Sequence, residues 1–445
     1  MNEGNGTTHL PATTHGPVHP KRTWRTHLVR AFLLLAPLAT LAQDRAELET
    51  TARGYITTLT SPEFHGRGYV SNGDGLAADW IAAQFARIGL KPVKKDFFQP
   101  FQFTVNSFPE KVELTIDGQE LRAGEDFIVD PASGSASGEY ALVHLSLADL
   151  LTPERRAMTM GVLAGQAAYL HPPTTTDADT LRLHAELERE LAVYVPVVRQ
   201  ARGKLTWSVA QDALPHPIIE VASPLLHDSV ATVRLSVKNQ LQVRRPARNV
   251  LGMIPGKSRK WIMITAHYDH LGRMGPDVLF PGANDNASGV AMLLTLAEWF
   301  KKHKPRHNIL FAAFAGEEAG LLGSQWCAVD RPIPWADVRL LVNLDILGTG
   351  DDGITVVNAT AQKAAYDKLV AINTAKSYLP EVKSRGPACN SDHCPFVERG
   401  IPGIFIYTMG GVAHYHDVHD KAETLPLTRY PELHALLREF IAAWK

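Results

Sequence analysis

The chain has 445 residues, 45% of them hydrophobic and 20% charged, which describes a globular protein long enough for more than one domain. A formal net charge of -1 gives no support for nucleic-acid binding or for steering towards an acidic polymer. The three cysteines, Cys327, Cys389 and Cys394, cannot all pair within one chain, which excludes a disulfide-scaffolded fold.

Residues 1–20 are polar, and Lys21, Arg22, Arg25 and Arg30 then precede the apolar run AFLLLAPLATLA at 31–42. A basic region before a short apolar core that ends at a small residue reads as a secretory signal cleaved near Ala42, and the mature chain is expected to be secreted or periplasmic. The run is too short for a stable transmembrane helix. From about 108 to 245 the sequence is rich in strand-like pieces, KVELTI, YALVHLSL, QAAYLHPP, YVPVVRQA, GKLTWSVA, HPIIEVA and TVRLSV. The helix-like LRLHAELEREL at 181–191 interrupts them. No metal-binding residues cluster there.

The last two hundred residues carry a different pattern. WIMITA (261–266), HNILFAAFA (307–315), DVRLLVNL (337–344) and IPGIFIYT (401–408) are short and almost wholly apolar, as parallel strands buried on both faces should be. Helical periodicity at 287–302 and 361–377 lies between them. Alternation of this kind predicts an α/β fold with a mostly parallel sheet flanked by helices, in which ligands gather beyond the carboxyl ends of the strands.

Polar residues stand where those strands end. His267, Asp269 and His270 follow the first strand in HYDHLG; Glu317 and Glu318 follow the second in FAGEEAGLLGS; Asp345 follows the third in NLDILG. Asp285 sits in PGANDNASG at 281–289, and AHYHDVHD places His414, His416 and His419 just before Asp420. Imidazole and carboxylate groups are the donors of a catalytic zinc, which lowers the pKa of water towards ~7. Singly, each residue has a plainer reading. A histidine after a strand is a surface or capping group, paired glutamates opening a helix serve its dipole, and Asp285 caps a helix. Together they require several coincidences at one edge of one sheet, so a metal-hydrolase site is the expectation. His270, His414 and His419 read as loop histidines without a role. Cys389 and Cys394 are close enough to close one small loop, and Cys327 reads as a buried apolar residue.

HYDHLG, PGANDNASG, FAGEEAGLLGS, NLDILG, SDHCPFVERGIP (391–402) and YHDVHD (415–420) resemble, in order and spacing, the motifs of the co-catalytic di-zinc aminopeptidases, metallopeptidase family twenty-eight. The likeness spans roughly 245–445, and LTSPEFHGRGYVSNGDGLAADWIAAQFARIGL, within 55–103, resembles that family's amino-terminal portion. The resemblance implies a zinc exopeptidase fold with 1–42 as leader, 43–107 and 246–445 forming the catalytic domain, and 108–245 as an inserted protease-associated-like α+β domain, smaller and rich in strands, that walls the substrate entrance. It implies two zinc ions per chain, bridged by Asp285, with His267 and Asp345 on one side and Glu318 and His416 on the other. Glu317 would be the general base acting with a zinc-bound hydroxide. Asp269 would orient His267, and Asp420 would do similar work near His416. A cis peptide between Asp285 and Asn286 is also implied.

This sequence departs from the family by lacking a tyrosine shortly before the SDH segment, where Ala388 and Cys389 stand. The group that polarises the scissile carbonyl is therefore open among Asp392, His393, Tyr407, Tyr415 and the metal itself, and Asp392 and His393 also read as a turn opening a short helix. The expected function is release of amino-terminal residues from peptides. Three rivals stand beside it. A carboxypeptidase or dipeptidase would use Arg273, Arg385 or Arg399 for the substrate carboxylate, a glutaminyl-peptide cyclotransferase would hold one zinc, and a non-catalytic receptor-like module would have lost ligands. Oligomeric state and side-chain specificity are not readable.

Overall fold

The structure, a computed structural model, describes residues 43–445; the expected signal segment lies outside the described residues. At its centre four strands, Asn308–Phe314, Trp261–His267, Val338–Leu344 and Gly403–Met409, run parallel in that spatial order. Their residues alternate between two cores, as the two-residue strand repeat requires. Ile262, Ile264 and Ala266 join Ile309, Phe311, Leu340 and Val342 on one face, while Met263 joins Leu310, Ala312, Phe314 and Leu341 on the other. Burial on both faces explains why the sequence shows continuous apolar runs instead of alternation.

Helix Ser288–Lys302 covers the first face and packs against helix Tyr430–Ala442. Because it lies between a sheet and a helix, Val290 to Ala297 are buried without a break, and Lys301 and Lys302 at its last turn complement the helix dipole. Helix Leu322–Asp330 and the short helix Cys394–Val397 lie against the second face, with Cys327 buried there. The outer strands turn the sheet mixed. Gln240–Ile254 pairs antiparallel with Asn308–Phe314 on one side, and Gly353–Val357 pairs antiparallel with Gly403–Met409 on the other, bringing the sheet to nine strands. Helix Lys363–Lys376 lies within the segment where helical periodicity was expected.

A second sheet of eight strands occupies the middle of the sequence, from Glu113–Ile116 to Thr232–Val237, with helices Pro153–Leu163 and Ala178–Leu191. Six of the seven strand-like pieces form strands. The seventh does not. At 203–210 no strand forms, because the backbone N–H and carbonyl of Trp207 bond His416 in another loop, and its ring packs on Phe280 at 4.6 Å and near Phe108 at 6.3 Å. Helix Pro153–Leu163 was not foreseen, although its start is written in the sequence: the Thr152 side chain accepts from the Arg155 N–H and Pro153 occupies the first helical position. The fifteen-residue strand Gln240–Ile254 carries the chain back into the main sheet, pairing with Phe98–Ser107 along the way.

Candidate metal centre

His267 is the last residue of its strand and Asp345 follows Leu344 directly, while Gly316 turns the chain after Phe314 so that Glu317 and Glu318 stand beyond a third strand end. Asp285 lies in the turn before helix Ser288–Lys302, across a cis Asp285–Asn286 peptide bond as the resemblance implied. His416 comes from the loop after Gly403–Met409. The five side chains converge. His267 Nε2 is 3.2 Å from Asp285 Oδ1 and 3.3 Å from Asp345 Oδ1, and His416 Nε2 is 3.1 Å from both Asp285 Oδ2 and Glu318 Oε2. Donors bound at ~2.0 Å to a tetrahedral zinc stand ~3.3 Å apart, and these four contacts match that spacing. Asp285 presents one oxygen to each half, the arrangement of a bridging carboxylate.

Main-chain hydrogen bonds hold this set in place. The carboxylate of Asp269 accepts the N–H groups of Glu317 at 3.1 Å and Glu318 at 3.3 Å and the hydroxyl of Tyr69 at 2.8 Å. His267 Nδ1 instead faces the backbone carbonyl of Asp269 at 3.1 Å, with the carboxylate 3.8 Å away. The orientation of the imidazole therefore comes from the main chain of Asp269, and its side chain fixes the turn that carries both glutamates. Asp420 also differs from expectation. Its carboxylate accepts the N–H groups of Asn284 and Asp285 at 2.8 and 3.0 Å, so it shapes the Asp285 turn and not the surroundings of His416. In that turn Gly282 has φ +62°, and a Cβ there would lie 2.3 Å from the Asp285 carbonyl oxygen, which leaves no room for a side chain.

Three contributors escaped the sequence reading. His270, expected to be an uninvolved loop histidine, is fully buried with Nδ1 2.7 Å from Glu318 Oε1. Arg67, also fully buried, donates to the carbonyls of Leu59, Tyr268, Pro281 and Gly282 beneath the site. Its positive φ and the turns around it gave no periodic signal. Ser391 donates to Asp345 Oδ2 at 2.7 Å and accepts from Asn343 at 2.8 Å, which bonds Thr265 in turn. The SDH segment that carries Ser391 is closed by a Cys389–Cys394 disulfide.

The electrostatics are those of acids gathered with only imidazoles in ion-pair contact among the described residues. Burial pushes the Glu317 carboxyl well above its usual range, and the nearby Asp392, Glu318 and Asp345 add to this against the pull of His267. Burial acts in the same sense on Glu318, and Asp285 adds to it; His416 and His270 outweigh both and bring it down to about 2. A cavity of about 240 Å³ opens on the site and is lined by His267, Asp285, Glu317, Asp345, Tyr407 and Tyr415, with Arg385 and Asn390 among the rest. Of the four side chains considered for the carbonyl, only the two tyrosines line it. Asp392 is buried, and His393 is buried with Nε2 2.9 Å from the Ala388 carbonyl, immediately before helix Cys394–Val397. Arg273 turns away to the Pro276 carbonyl and Arg399 to that of Pro395.

Residues 249–441 match Peptidase family M28. A probable leucine aminopeptidase of Arthroderma otae is 33% identical over 168 residues, covering 36% of this chain and 46% of that protein, so the chain spans about half the length of that relative. Aminopeptidase YwaD of Bacillus subtilis is 25% identical over 373 residues, which are 80% of this chain and 77% of YwaD. Among solved structures, a Peptidase M28 precursor from Shewanella amazonensis shares the fold with a TM-score of 0.67 at 18% identity, over 90% of this chain and 95% of the other. A zinc aminopeptidase from Bacillus subtilis does so with a TM-score of 0.63 at 19% identity, over 88% and 94%. His267, Asp285, Glu317, Glu318, Asp345 and His416 all lie within the residues that match Peptidase family M28.

Proposed function

We propose that this protein is a zinc-dependent exopeptidase, an aminopeptidase releasing amino-terminal residues from peptides, with two zinc ions held by His267, Asp285, Asp345, Glu318 and His416. The observation that carries the proposal is the pair of donor sets at 3.1–3.3 Å that share Asp285. When bound, the zinc pair supplies Lewis acidity and lowers the pKa of water. Glu317 faces the same cavity and takes no part in the 3.1–3.3 Å donor contacts, so with zinc bound its carboxylate is suited to take the proton of water and pass it to the leaving amine. Tyr407 and Tyr415 line the same cavity, which supports a tyrosine hydroxyl as the donor to the substrate carbonyl. The names of the relatives support the amino-terminal direction.

A second reading has one observation in its favour. Arg385, 3.4 Å from the Tyr407 hydroxyl, is the one arginine lining the cavity among the described residues, and a guanidinium there suits a substrate carboxylate, as in a carboxypeptidase or dipeptidase. A panel of dipeptides with free, amino-blocked and carboxyl-amidated ends separates the two. The aminopeptidase reading expects cleavage to vanish on blocking the amine and to survive amidation; the reverse pattern would assign carboxypeptidase activity. We also infer export from the cell. The basic, apolar amino-terminal segment and a disulfide of the kind that persists in oxidising compartments support it. No helix among the described residues is long and apolar enough to cross a membrane. Amino-terminal sequencing of secreted material, expected to begin after Ala42, tests this.

A further inference from the structure

The segment 204–211 connects strands Val197–Gln200 and Ile218–Val221 of the eight-stranded sheet, yet its polar groups are directed at the loops that bear two of the metal-ligating residues. The Trp207 N–H donates to the His416 carbonyl at 3.0 Å, and His416 Nδ1 meets the Trp207 carbonyl at 2.9 Å. An imidazole that donates Nδ1–H to a fixed carbonyl presents Nε2 as a free acceptor, which is the atom 3.1 Å from Asp285 and Glu318. Lys204 Nζ reaches the carbonyls of Ala413 at 3.3 Å and Tyr415 at 2.8 Å and the carboxylate of Asp417 at 2.6 Å, so all three of its donors hold this one loop. Gln211 Nε2 donates to the Ala319 carbonyl at 2.8 Å, directly after Glu318. Trp207 is in turn anchored in the core of its own domain, with Nε1 donating to the Val129 carbonyl at 2.7 Å.

The other half of the site has no such support. His267 is oriented by the Asp269 carbonyl and Asp345 by Ser391, both within the family-matching region. We infer that the 204–211 segment is a built-in brace for the Glu318–His416 half of the metal centre, with Lys204, Trp207 and Gln211 as positioning residues. The inserted domain thus sets the affinity of one of the two metal positions independently of any substrate contact. The inference rests on the two-metal reading proposed above.

Cobalt(II) titration of the apo-protein, followed by visible absorption, and zinc competition against a chelator test this. The variants are Lys204→Met, the double variant Lys204→Met with Gln211→Ala, and Lys204→Arg as a conservative rescue. Lys238→Met, which removes an exposed pair with Glu110, serves as control. We expect the double variant to keep one metal as tight as the parent and to bind the second ~10- to 100-fold more weakly, the usual cost of losing a partner that orients a ligand. Lys204→Arg should recover most of that loss and Lys238→Met should lose nothing. Circular dichroism and thermal unfolding of the apo-variants establish that they fold. If Lys204→Met itself fails to fold, Asp417→Asn removes the other end of the ion pair and makes the same prediction. Unchanged affinity at both positions, or equal weakening of both, overturns the inference. A parent chain that binds fewer than two cobalt ions overturns the two-metal reading instead.

Discussion

Two regions of this molecule bury clustered charge, and only one of them is arranged to do chemistry. Beside the eight-stranded sheet Glu188, Glu220 and Asp130 surround Arg199, whose guanidinium lies 2.7 Å from Glu220, 3.2 Å from Asp130 and 4.0 Å from Glu188. That cluster is closed by its own cation. At the strand ends of the main sheet Asp285, Glu318 and Asp345 face two imidazoles and a cavity, and among the described residues no lysine or arginine forms an ion pair with them. The nearby guanidinium of Arg67 gives its N–H groups to carbonyl oxygens. Buried charge therefore does not mark a site by itself. Acids that converge without a lysine or arginine paired to them do, because their mutual repulsion in a low dielectric favours a cation from outside.

The largest effect that separates the two regions is catalytic. Glu317→Gln keeps the size of the side chain and removes the base, so turnover should fall at least ~10²-fold with zinc content still near two per chain. Glu318→Gln should instead lose zinc, since an amide is a poorer ligand than a carboxylate. Finding the zinc loss in Glu317→Gln and its retention in Glu318→Gln would exchange the two roles. In the closed cluster the dominant effect should be on stability. Arg199→Met strands three acids and should destabilise the fold by about 2–4 kcal/mol, somewhat below the figure for a fully buried pair because Arg199 is partly exposed, while leaving zinc content unchanged. Denaturant unfolding and elemental analysis of the same sample check both statements.

The smallest effect concerns pH. Burial raises the Glu188 carboxyl to about 7 against the partly compensating Arg199 and Arg202. The folded chain then holds a proton that the unfolded chain releases near the ordinary glutamate value. Stability from this group is full below about pH 4.5 and is lost as pH rises through about 7, a change on the order of 1–3 kcal/mol. Glu188→Gln should flatten that slope. An unaltered pH profile in the variant would show that the acid is ionised throughout in the folded state.

Much of the catalytic region was legible because its strands are buried on both faces, so that each appears in the sequence as an unbroken apolar run with a polar residue at its end. His267, Glu317, Glu318 and Asp345 all carry that signature. His416 and Asp285 lie in loops; their residue types and neighbours made them candidates, and their separate ligand roles were readable through motif resemblance alone. The supporting residues were hidden for a different reason. Arg67 lies about 200 residues from the carbonyls it bonds at 268, 281 and 282, and the role of Trp207 depends on a loop that no local pattern connects with it. Asp269 and Asp420 were singled out, yet their carboxylates bind backbone amides of neighbouring turns instead of the imidazoles expected, and backbone direction in a turn is set by tertiary contacts that a single sequence does not display.

Metal stoichiometry tests most directly whether one carboxylate, Asp285, joins two donor sets. Elemental analysis of the purified mature chain under zinc-replete conditions should give two zinc ions per chain, and Asp285→Asn should lower the content of both positions together. One tightly bound zinc in the parent would contradict the account and favour the single-metal cyclotransferase reading.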